Sequence, residues 1–212
     1  MSLGRLIRTS ALALVPLVLV AACAAPIGGA RSLDPETFPP ELVEGAGAAT
    51  AELEVTPLRQ KSAIGARIVF GLDGRPEDVL SMLLDFEHAD GRRAWSTRHE
   101  LVADEGEVVT ARWHLKGKQG IQPTVELAFV TEREPDRIHV TFDLVERVFA
   151  VSELFGDYTI VPDGRDRSLL SGRVFVASGL PFGGPTTEDI VNGMRVDASL
   201  MRSWMSERLL AR

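Results

Sequence analysis

The chain has 212 residues and a mass of 23.0 kDa, with 45% hydrophobic and 25% charged residues. This balance is typical of a globular protein and excludes a chain that is disordered throughout. The 23 basic and 30 acidic residues give a net charge of −7, which offers no surplus of basic residues for a nucleic-acid-binding face. A single cysteine excludes an internal disulfide and also excludes zinc-ribbon and haem-attachment motifs.

The first 23 residues have the pattern of an export signal. Arg5 and Arg8 precede an apolar run over residues 11–22, which ends at Cys23. This run is too short to cross a hydrocarbon core of about 30 Å as a helix, but it suits the apolar part of a secretory signal. The segment VAAC at residues 20–23 resembles the bacterial lipobox, whose cysteine is acylated and becomes the mature N-terminus. An ordinary signal peptide that leaves a free thiol is the alternative.

The resemblance to a lipoprotein signal implies a signal peptide over residues 1–22, lipidation of Cys23 and a location in the cell envelope. Ala24 stands where a retention signal would place Asp, which implies the outer membrane, facing the periplasm, if the source has one. Residues 23–50 are rich in proline and glycine and poor in large apolar side chains. They are therefore predicted to form a flexible tether to a domain over residues 51–212.

The domain begins with a predicted strand and a short helix. Ala63 to Leu72 alternates in polarity, which predicts a strand. A helix is then expected to open at Asp73 or Gly74, with Pro76 in its first turn. Its narrow apolar face consists of Val79, Leu80, Leu83 and Leu84.

A long region of alternating polarity follows the short helix. It predicts five or six strands, among them 108–116, 125–129, 138–144, 154–161 and 169–177. Short connections such as 134–136 and the turn at 162–167 indicate antiparallel neighbours. Because these strands are half polar, only one face of the sheet is expected to be buried.

The last predicted element is a long helix that starts near Thr186 or Thr187. Its apolar stripe comprises Ile190, Met194, Ala198, Met201, Met205 and Leu209. The remaining surface is predicted to be polar and includes Asn192, Arg195, Asp197, Arg202, Glu207 and Arg208. Such a stripe needs an apolar surface to cover it, and the buried face of the sheet is the obvious candidate.

This order of elements, together with GLDGRPEDVLSMLLDFEHADGRRAW at residues 71–95, resembles the START-like helix-grip superfamily. That superfamily, also called SRPBCC, includes polyketide cyclases and dehydrases and lipid transport proteins. The resemblance implies an α+β fold in which a curved antiparallel sheet wraps a long C-terminal helix, with one or two short helices after the first strand. It also implies an apolar cavity between sheet and helix that takes up a lipid, sterol, polyketide or similar molecule.

Eight side chains are candidates for lining such a cavity. They are Trp113, Phe129, Phe142, Tyr158, Phe175, Met194, Met201 and Met205. The alternative is that the same side chains fill an ordinary core, which is the commoner fate of these residue types. The glycine-rich segment 179–185 either flexes beside the cavity mouth or only makes a turn.

No catalytic or metal-binding pattern stands out. There is no GxSxG and no HExxH, and His88, His99, His114 and His139 are scattered among polar neighbours, as surface histidines are. Asp85 and its neighbour at position 87 suit a solvated turn better than an acid–base pair. We therefore expect no resident cofactor, no metal and no catalytic residue that the sequence can name.

Three functions remain open from the sequence. The first is a membrane-tethered envelope protein that binds a hydrophobic small molecule or lipid, and it is the one the tether and the fold favour. The second is a cyclase/aromatase- or isomerase-like enzyme of the same fold, which needs a polar residue inside the cavity. The third is a non-catalytic envelope interaction module whose interior is filled by its own side chains. The sequence does not determine the ligand, the protein partners or the oligomeric state.

Overall fold

The structure is a computed structural model that describes residues 52–60, 63–90, 92–116, 122–148, 151–178 and 186–211. The predicted signal peptide, Cys23, the predicted tether and the glycine-rich segment 179–185 lie outside the described residues. Within the described ranges, no helix combines the length and the apolar character needed to cross a membrane.

The described residues form one antiparallel sheet of eight strands in the order β1-β2-β8-β7-β6-β5-β4-β3. The strands are β1 Glu54–Gln60, β2 Ala63–Leu72, β3 Ser96–Asp104, β4 Val108–Leu115, β5 Thr124–Glu134, β6 Arg137–Leu144, β7 Val151–Pro162 and β8 Ser168–Ser178. The predicted strands are confirmed, and β1 and β3 are added at the two edges of the sheet. Gly164 occupies the predicted turn between β7 and β8 with a φ of 90°, a conformation that glycine adopts without strain.

The short helix α1 spans Pro76–Leu83 and confirms the prediction, although its N-cap is Arg75 rather than Asp73 or Gly74. No side chain caps it. Its start is set instead by Pro76, whose fixed φ suits the first turn of a helix, and by the acidic residues at positions 77 and 78.

The long helix α2 spans Thr187–Leu210. Thr186 is its N-cap: the Thr186 hydroxyl accepts a hydrogen bond from the Asp189 amide at 3.1 Å, and an Asp189 carboxylate oxygen accepts one from the Thr186 amide at 3.0 Å. This reciprocal capping box fixes where the chain enters the helix. The cap predicted at Thr186 is therefore confirmed.

Both helices pack on the same face of the sheet, which we call the inner face. Helix α2 packs mainly across β2, while α1 contacts α2, β6 and β7. The predicted stripe of α2 supplies four buried residues, which are Met194, Ala198, Met201 and Met205. These helix residues and inner-face residues of β2 and of β4 to β8 belong to one core cluster.

The outer face of the sheet is less exposed than its half-polar strands predicted. His139 and Asp157 are both buried there, with the His139 Nε2 atom 3.1 Å from a carboxylate oxygen of Asp157. Arg173 binds both oxygens of the same carboxylate. Burial acts to raise the pKa of Asp157, but the hydrogen bonds from Arg173 and His139 outweigh it and lower that pKa. Mutual pairing thus lets polar groups be buried where the alternation predicted a solvated face.

Candidate functional site

A row of aromatic rings crosses the inner face of the sheet. Trp113 on β4, Phe129 on β5, Phe142 on β6 and Tyr158 on β7 follow one another with ring centroids 6.2, 5.5 and 5.5 Å apart. All four are at most 3% exposed. Four consecutive strands thus place an aromatic wall opposite helix α2.

Glycines on the neighbouring strands make room for these rings. A Cβ atom at Gly156 would lie 2.9 Å from the Cζ atom of Phe142, and one at Gly172 would lie 2.6 Å from the Cδ1 atom of Tyr158. Both distances are shorter than real contacts of a Cβ atom. The two glycines are therefore part of what allows the rings to lie flat against the sheet.

Seven of the eight predicted lining residues lie in the core cluster between the sheet and α2. They are Trp113, Phe129, Phe142, Tyr158, Met194, Met201 and Met205. Phe175 is the exception, because its neighbour Val174 faces the inner core and alternation turns Phe175 to the outer face. There its ring stacks on Phe155 at 5.2 Å in a separate small cluster, so the prediction for Phe175 is corrected.

A buried ion pair joins the loop before β3 to helix α2. The Nη1 atom of Arg93 donates to Asp197 at 2.6 Å, and the Ala94 amide donates to the other carboxylate oxygen at 2.8 Å. The Nη2 atom of Arg93 donates to the Tyr158 hydroxyl at 3.1 Å, which connects the pair to the aromatic row. Asp197 was predicted on the polar side of α2, but it faces the interior. The charged group is tolerated there because both of its oxygens are hydrogen-bonded.

The two adjacent arginines respond differently to burial. Burial lowers the pKa of Arg93, but Tyr158 and Asp197 more than offset this, so that its pKa lies above the ordinary arginine value. For Arg92, burial and then repulsion from Arg93 lower the pKa to about 9. Both side chains are therefore cationic at neutral pH, and only Arg93 has a carboxylate as hydrogen-bond partner.

His99 on β3 lies in the same region. It is 5% exposed, its Nε2 atom is 2.8 Å from the Ser96 hydroxyl, and its ring packs edge-on against Trp113 at 5.3 Å. Burial, followed by repulsion from Arg92 and Arg93, lowers the pKa of His99 to about 3, so the imidazole is neutral at pH 7. Two of the four predicted surface histidines, His99 and His139, are therefore buried.

Comparison with known proteins gives matches to solved structures only, and these concern the fold. No family model and no curated protein matches the sequence. Among solved structures, a STAR-related lipid transfer protein from Xanthomonas axonopodis is similar over 74% of this chain and 98% of its own, with 14% identity and a TM-score of 0.57. The Zhui aromatase/cyclase from Streptomyces sp. R1128 is similar over 71% of this chain and 95% of its own, with 12% identity and a TM-score of 0.55. The chain has the START-like helix-grip fold.

A START superfamily protein from Mycobacterium smegmatis has the same architecture at 16% identity and a TM-score of 0.50, over 68% of this chain and 98% of its own. The fold predicted from the sequence is thus confirmed, including the long C-terminal helix held against the curved sheet. At such identities the likeness concerns architecture alone, so the chemistry of the interior has to be derived from the residues of this chain.

The interior of this START-like fold holds a concentration of unpaired nitrogen atoms. Six buried side-chain nitrogens of five neighbouring residues have no hydrogen-bond partner within the described ranges. They are Arg92 Nε, Arg92 Nη2, Arg93 Nε, Trp95 Nε1, His99 Nδ1 and Trp113 Nε1. The nearest carboxylate oxygen to the His99 Nδ1 atom belongs to Asp90, at 3.9 Å, which is too long for a hydrogen bond. Natural interiors leave few such atoms unpaired, so a cluster of them marks a place where acceptors are missing.

Part of this polar cluster can be recognised in the sequence. Asp197 lies three residues after Met194 and four before Met201, so helical spacing places it on the apolar stripe. Arg92 and Arg93 lie in a loop, where the sequence has no periodic pattern that distinguishes buried side chains from exposed ones. Within the described part of the chain, no group of histidine, cysteine and carboxylate side chains is arranged to hold a metal ion.

Proposed function

We propose that this protein binds a hydrophobic small molecule or lipid between its sheet and helix α2, and that lipidated Cys23 tethers it to the cell envelope. The observation that carries the proposal is that the aromatic row and the methionines of α2 belong to one core cluster inside a START-like fold. Similar structures include one described as a STAR-related lipid transfer protein, which supports a hydrophobic ligand here.

The residue types on the two sides of this interior suit an apolar guest. Flat aromatic rings offer a large apolar surface, and they contact aliphatic or aromatic groups equally well. Met194, Met201 and Met205 are unbranched and adapt to irregular shapes. A chain that binds varied apolar molecules needs such an adaptable wall, whereas a core that only has to be filled does not.

A second candidate is an enzyme of the cyclase/aromatase or isomerase kind. It is favoured by one observation, namely that the Tyr158 hydroxyl lies inside the fold, accepts a hydrogen bond from Arg93 and keeps its own proton to donate. One similar structure is described as an aromatase/cyclase. The two candidates differ in the fate of the bound molecule, because a binding protein returns it with unchanged mass.

Photolabelling tests the binding proposal. The full chain, reconstituted in lipid nanodiscs, is exposed to a dodecan-1-ol that carries a diazirine on its alkyl chain, and the labelled peptides are identified by mass spectrometry. Labels in α2 and in β4 to β7 that excess unlabelled dodecan-1-ol displaces are the expected result. Labels confined to the outer face, or labels that no competitor displaces, would instead indicate a filled interior and the interaction-module interpretation.

The anchor is tested separately through Cys23. Cells that express the wild-type chain are grown with an alkyne-tagged fatty acid, and the chain is recovered, tagged and fractionated. We expect the wild-type protein to carry the tag and to float with membranes, and Cys23→Ala to carry none. A tag that persists in Cys23→Ala, or an untagged wild-type protein, contradicts the lipoprotein assignment.

A further inference from the structure

Arg92 is fully buried, and one of its terminal nitrogens is already engaged. The Nη1 atom donates to the Met82 carbonyl at 2.7 Å and to the Leu83 carbonyl at 2.9 Å, at the C-terminal end of α1. The guanidinium group lies 5.3 Å from the centre of the Phe86 ring and 5.2 Å from that of Trp204. These contacts fix the plane and the direction of the group.

The opposite edge of this guanidinium group, formed by Nε and Nη2, has no hydrogen-bond partner among the described residues. That edge presents two parallel N–H donors, which match the two oxygens of a carboxylate or phosphate. Arg173 uses the same edge in this way, with Nε and Nη2 each donating to a different oxygen of Asp157. In Arg112 the two nitrogens of this edge both donate to one oxygen of Glu126. Among the arginines that the structure describes, Arg92 alone has both nitrogens of this edge buried and without a partner.

Among the described residues, the carboxylates that attract Arg92 are already paired with other groups. Asp197 is held by Arg93 and by the Ala94 amide, and the partly buried Asp85 interacts with His88 and Arg208. With His99 neutral, the buried groups Arg92, Arg93 and Asp197 sum to one positive charge. Water molecules could occupy the open N–H groups, but they would leave this charge uncompensated in a medium of low polarity.

We propose that the interior selects an amphiphile with an oxyanion head, a carboxylate or a phosphate, bound side-on by the Nε and Nη2 atoms of Arg92. The inference rests on the proposed function and assigns the chemical class of its ligand. Phe86 connects the two ends of the site, because its ring contacts the Arg92 guanidinium group and packs against Phe129 at 4.8 Å and Trp113 at 6.4 Å. The apolar tail lies along the aromatic row, and the unpaired Trp95 and Trp113 indoles supply further donors near the head.

Competition against the photoreactive dodecan-1-ol tests this proposal. Dodecanoate, dodecyl phosphate and unlabelled dodecan-1-ol are compared as competitors of labelling on the full chain in nanodiscs at pH 8. We expect at least one anion to compete about tenfold or more better than the alcohol, as one charge-assisted pair provides. The two anions distinguish a carboxylate from a phosphate head. Because each competitor meets the same bilayer in every variant, its partitioning into lipid cancels when variants are compared.

Two variants and one control locate the effect. Arg92→Met is expected to reduce the preference for anions to about onefold, while Arg133→Met, at an exposed arginine on β5, is expected to leave it unchanged. Arg92→Lys keeps the positive charge but lacks the two-donor edge, so an intermediate preference is expected. Circular dichroism checks that each variant is folded, and if Arg92→Met is not, Arg92→Lys carries the test.

The outcomes separate the two proposals. A wild-type chain that binds the alcohol and both anions equally well overturns the oxyanion assignment but leaves hydrophobic binding intact. A preference that survives unchanged in folded Arg92→Met or in Arg92→Lys also overturns it, since the head then binds elsewhere. Labelling that no competitor displaces contradicts hydrophobic binding, and the oxyanion inference falls with it.

Discussion

The pair formed by Arg93 and Asp197 fixes the loop before β3 against helix α2. Each side chain is almost fully buried, and their closest atoms are 2.6 Å apart. Removing one partner of a buried pair leaves the other charge uncompensated, at a cost of about 3–5 kcal/mol. We therefore expect Asp197→Asn to lower the free energy of unfolding by about that amount in urea denaturation, while Glu207→Gln, an exposed change on the same helix, has little effect.

Asp197→Asn could destabilise the fold by removing the attraction between the two side chains or by leaving the charge of Arg93 without a partner. The double variant Arg93→Met/Asp197→Leu distinguishes these two causes. Because it removes both charges and keeps apolar volume, it is expected to recover most of the stability that Asp197→Asn loses. A double variant that is as unstable as Asp197→Asn would show that the hydrogen bonds to Ala94 and Tyr158, rather than the orphaned charge, dominate.

His99 is expected to make the fold sensitive to mild acid. Its pKa is lowered to about 3 in the folded chain, whereas the ordinary histidine value is 6.5. Below pH 6.5 the unfolded chain takes up a proton that the folded chain does not, so stability falls with pH by at most about 1.4 kcal/mol per unit until the folded pKa is reached. Urea unfolding at pH 7, 6 and 5 measures this slope, and His99→Gln is expected to reduce it.

The wild type and His99→Gln are compared at the same three pH values. Equal slopes in the wild type and His99→Gln would contradict the assignment of the acid sensitivity to His99.

At the scale of single residues, the sequence predicted the positions of the large apolar side chains better than those of the buried polar ones. Alternation assigned Trp113, Phe129, Phe142 and Tyr158 correctly to one interior, because strand parity alone decides their side. The predictions for His99 and Asp197 as exposed residues were wrong. His99 is buried beside its near neighbour Ser96. Asp197 is buried because Arg93 and Ala94, which are distant in sequence, bind its carboxylate, and the sequence pattern does not show those partners.

Among the elements, helix α2 depends on its capping box at the N-terminus. The Thr186 hydroxyl accepts a hydrogen bond from the Asp189 amide, which would otherwise have no acceptor within the helix. Thr186→Ala is expected to lower the free energy of unfolding by about 1 kcal/mol. The neighbouring Thr187→Ala, in the first turn, is the control and should change it much less. Equal losses in thermal unfolding of the two variants would show that Thr186 contributes no specific cap.

The strands divide into those that alternate and those that do not. β4, β6 and β8 were predicted with boundaries close to those observed. β5 and β7 were predicted too short, because β5 continues to Glu134 and β7 begins at Val151. β3 was missed because its pairing with β4 shifts register twice, after Ser96 and after Leu101, so that residue parity no longer reports the face. β1 was missed because it is an edge strand without a fully buried residue, so that burial imposes no apolar pattern on it.

At the scale of the whole molecule, the order of elements helped to predict the fold, because few sheet topologies are compatible with that order. Six consecutive antiparallel strands with short connections must form a meander, and a long amphipathic helix after them can only cover the buried face. Those two constraints agree with the START-like fold that the resemblance implied, but they do not predict the pairing of β2 with β8. Nor do they predict the charge distribution inside the fold, because Arg92 and Arg93 lie in a loop whose path is set only once α1 and α2 have packed.

Binding between the sheet and α2 should stabilise the molecule as a unit, because both walls of the site belong to the same core cluster. A ligand present at about 100 times its dissociation constant adds about 2.7 kcal/mol to the free energy of unfolding. We expect dodecanoate to slow hydrogen exchange in peptides from α2 and from β4 to β7, measured by mass spectrometry on the full chain. Peptides from β1 are expected to change less, because this edge strand has no fully buried residue and lies at the opposite side of the sheet from β4. Slower exchange limited to β1, or no change in any peptide despite photolabelling, would place the bound molecule outside the space between sheet and helix.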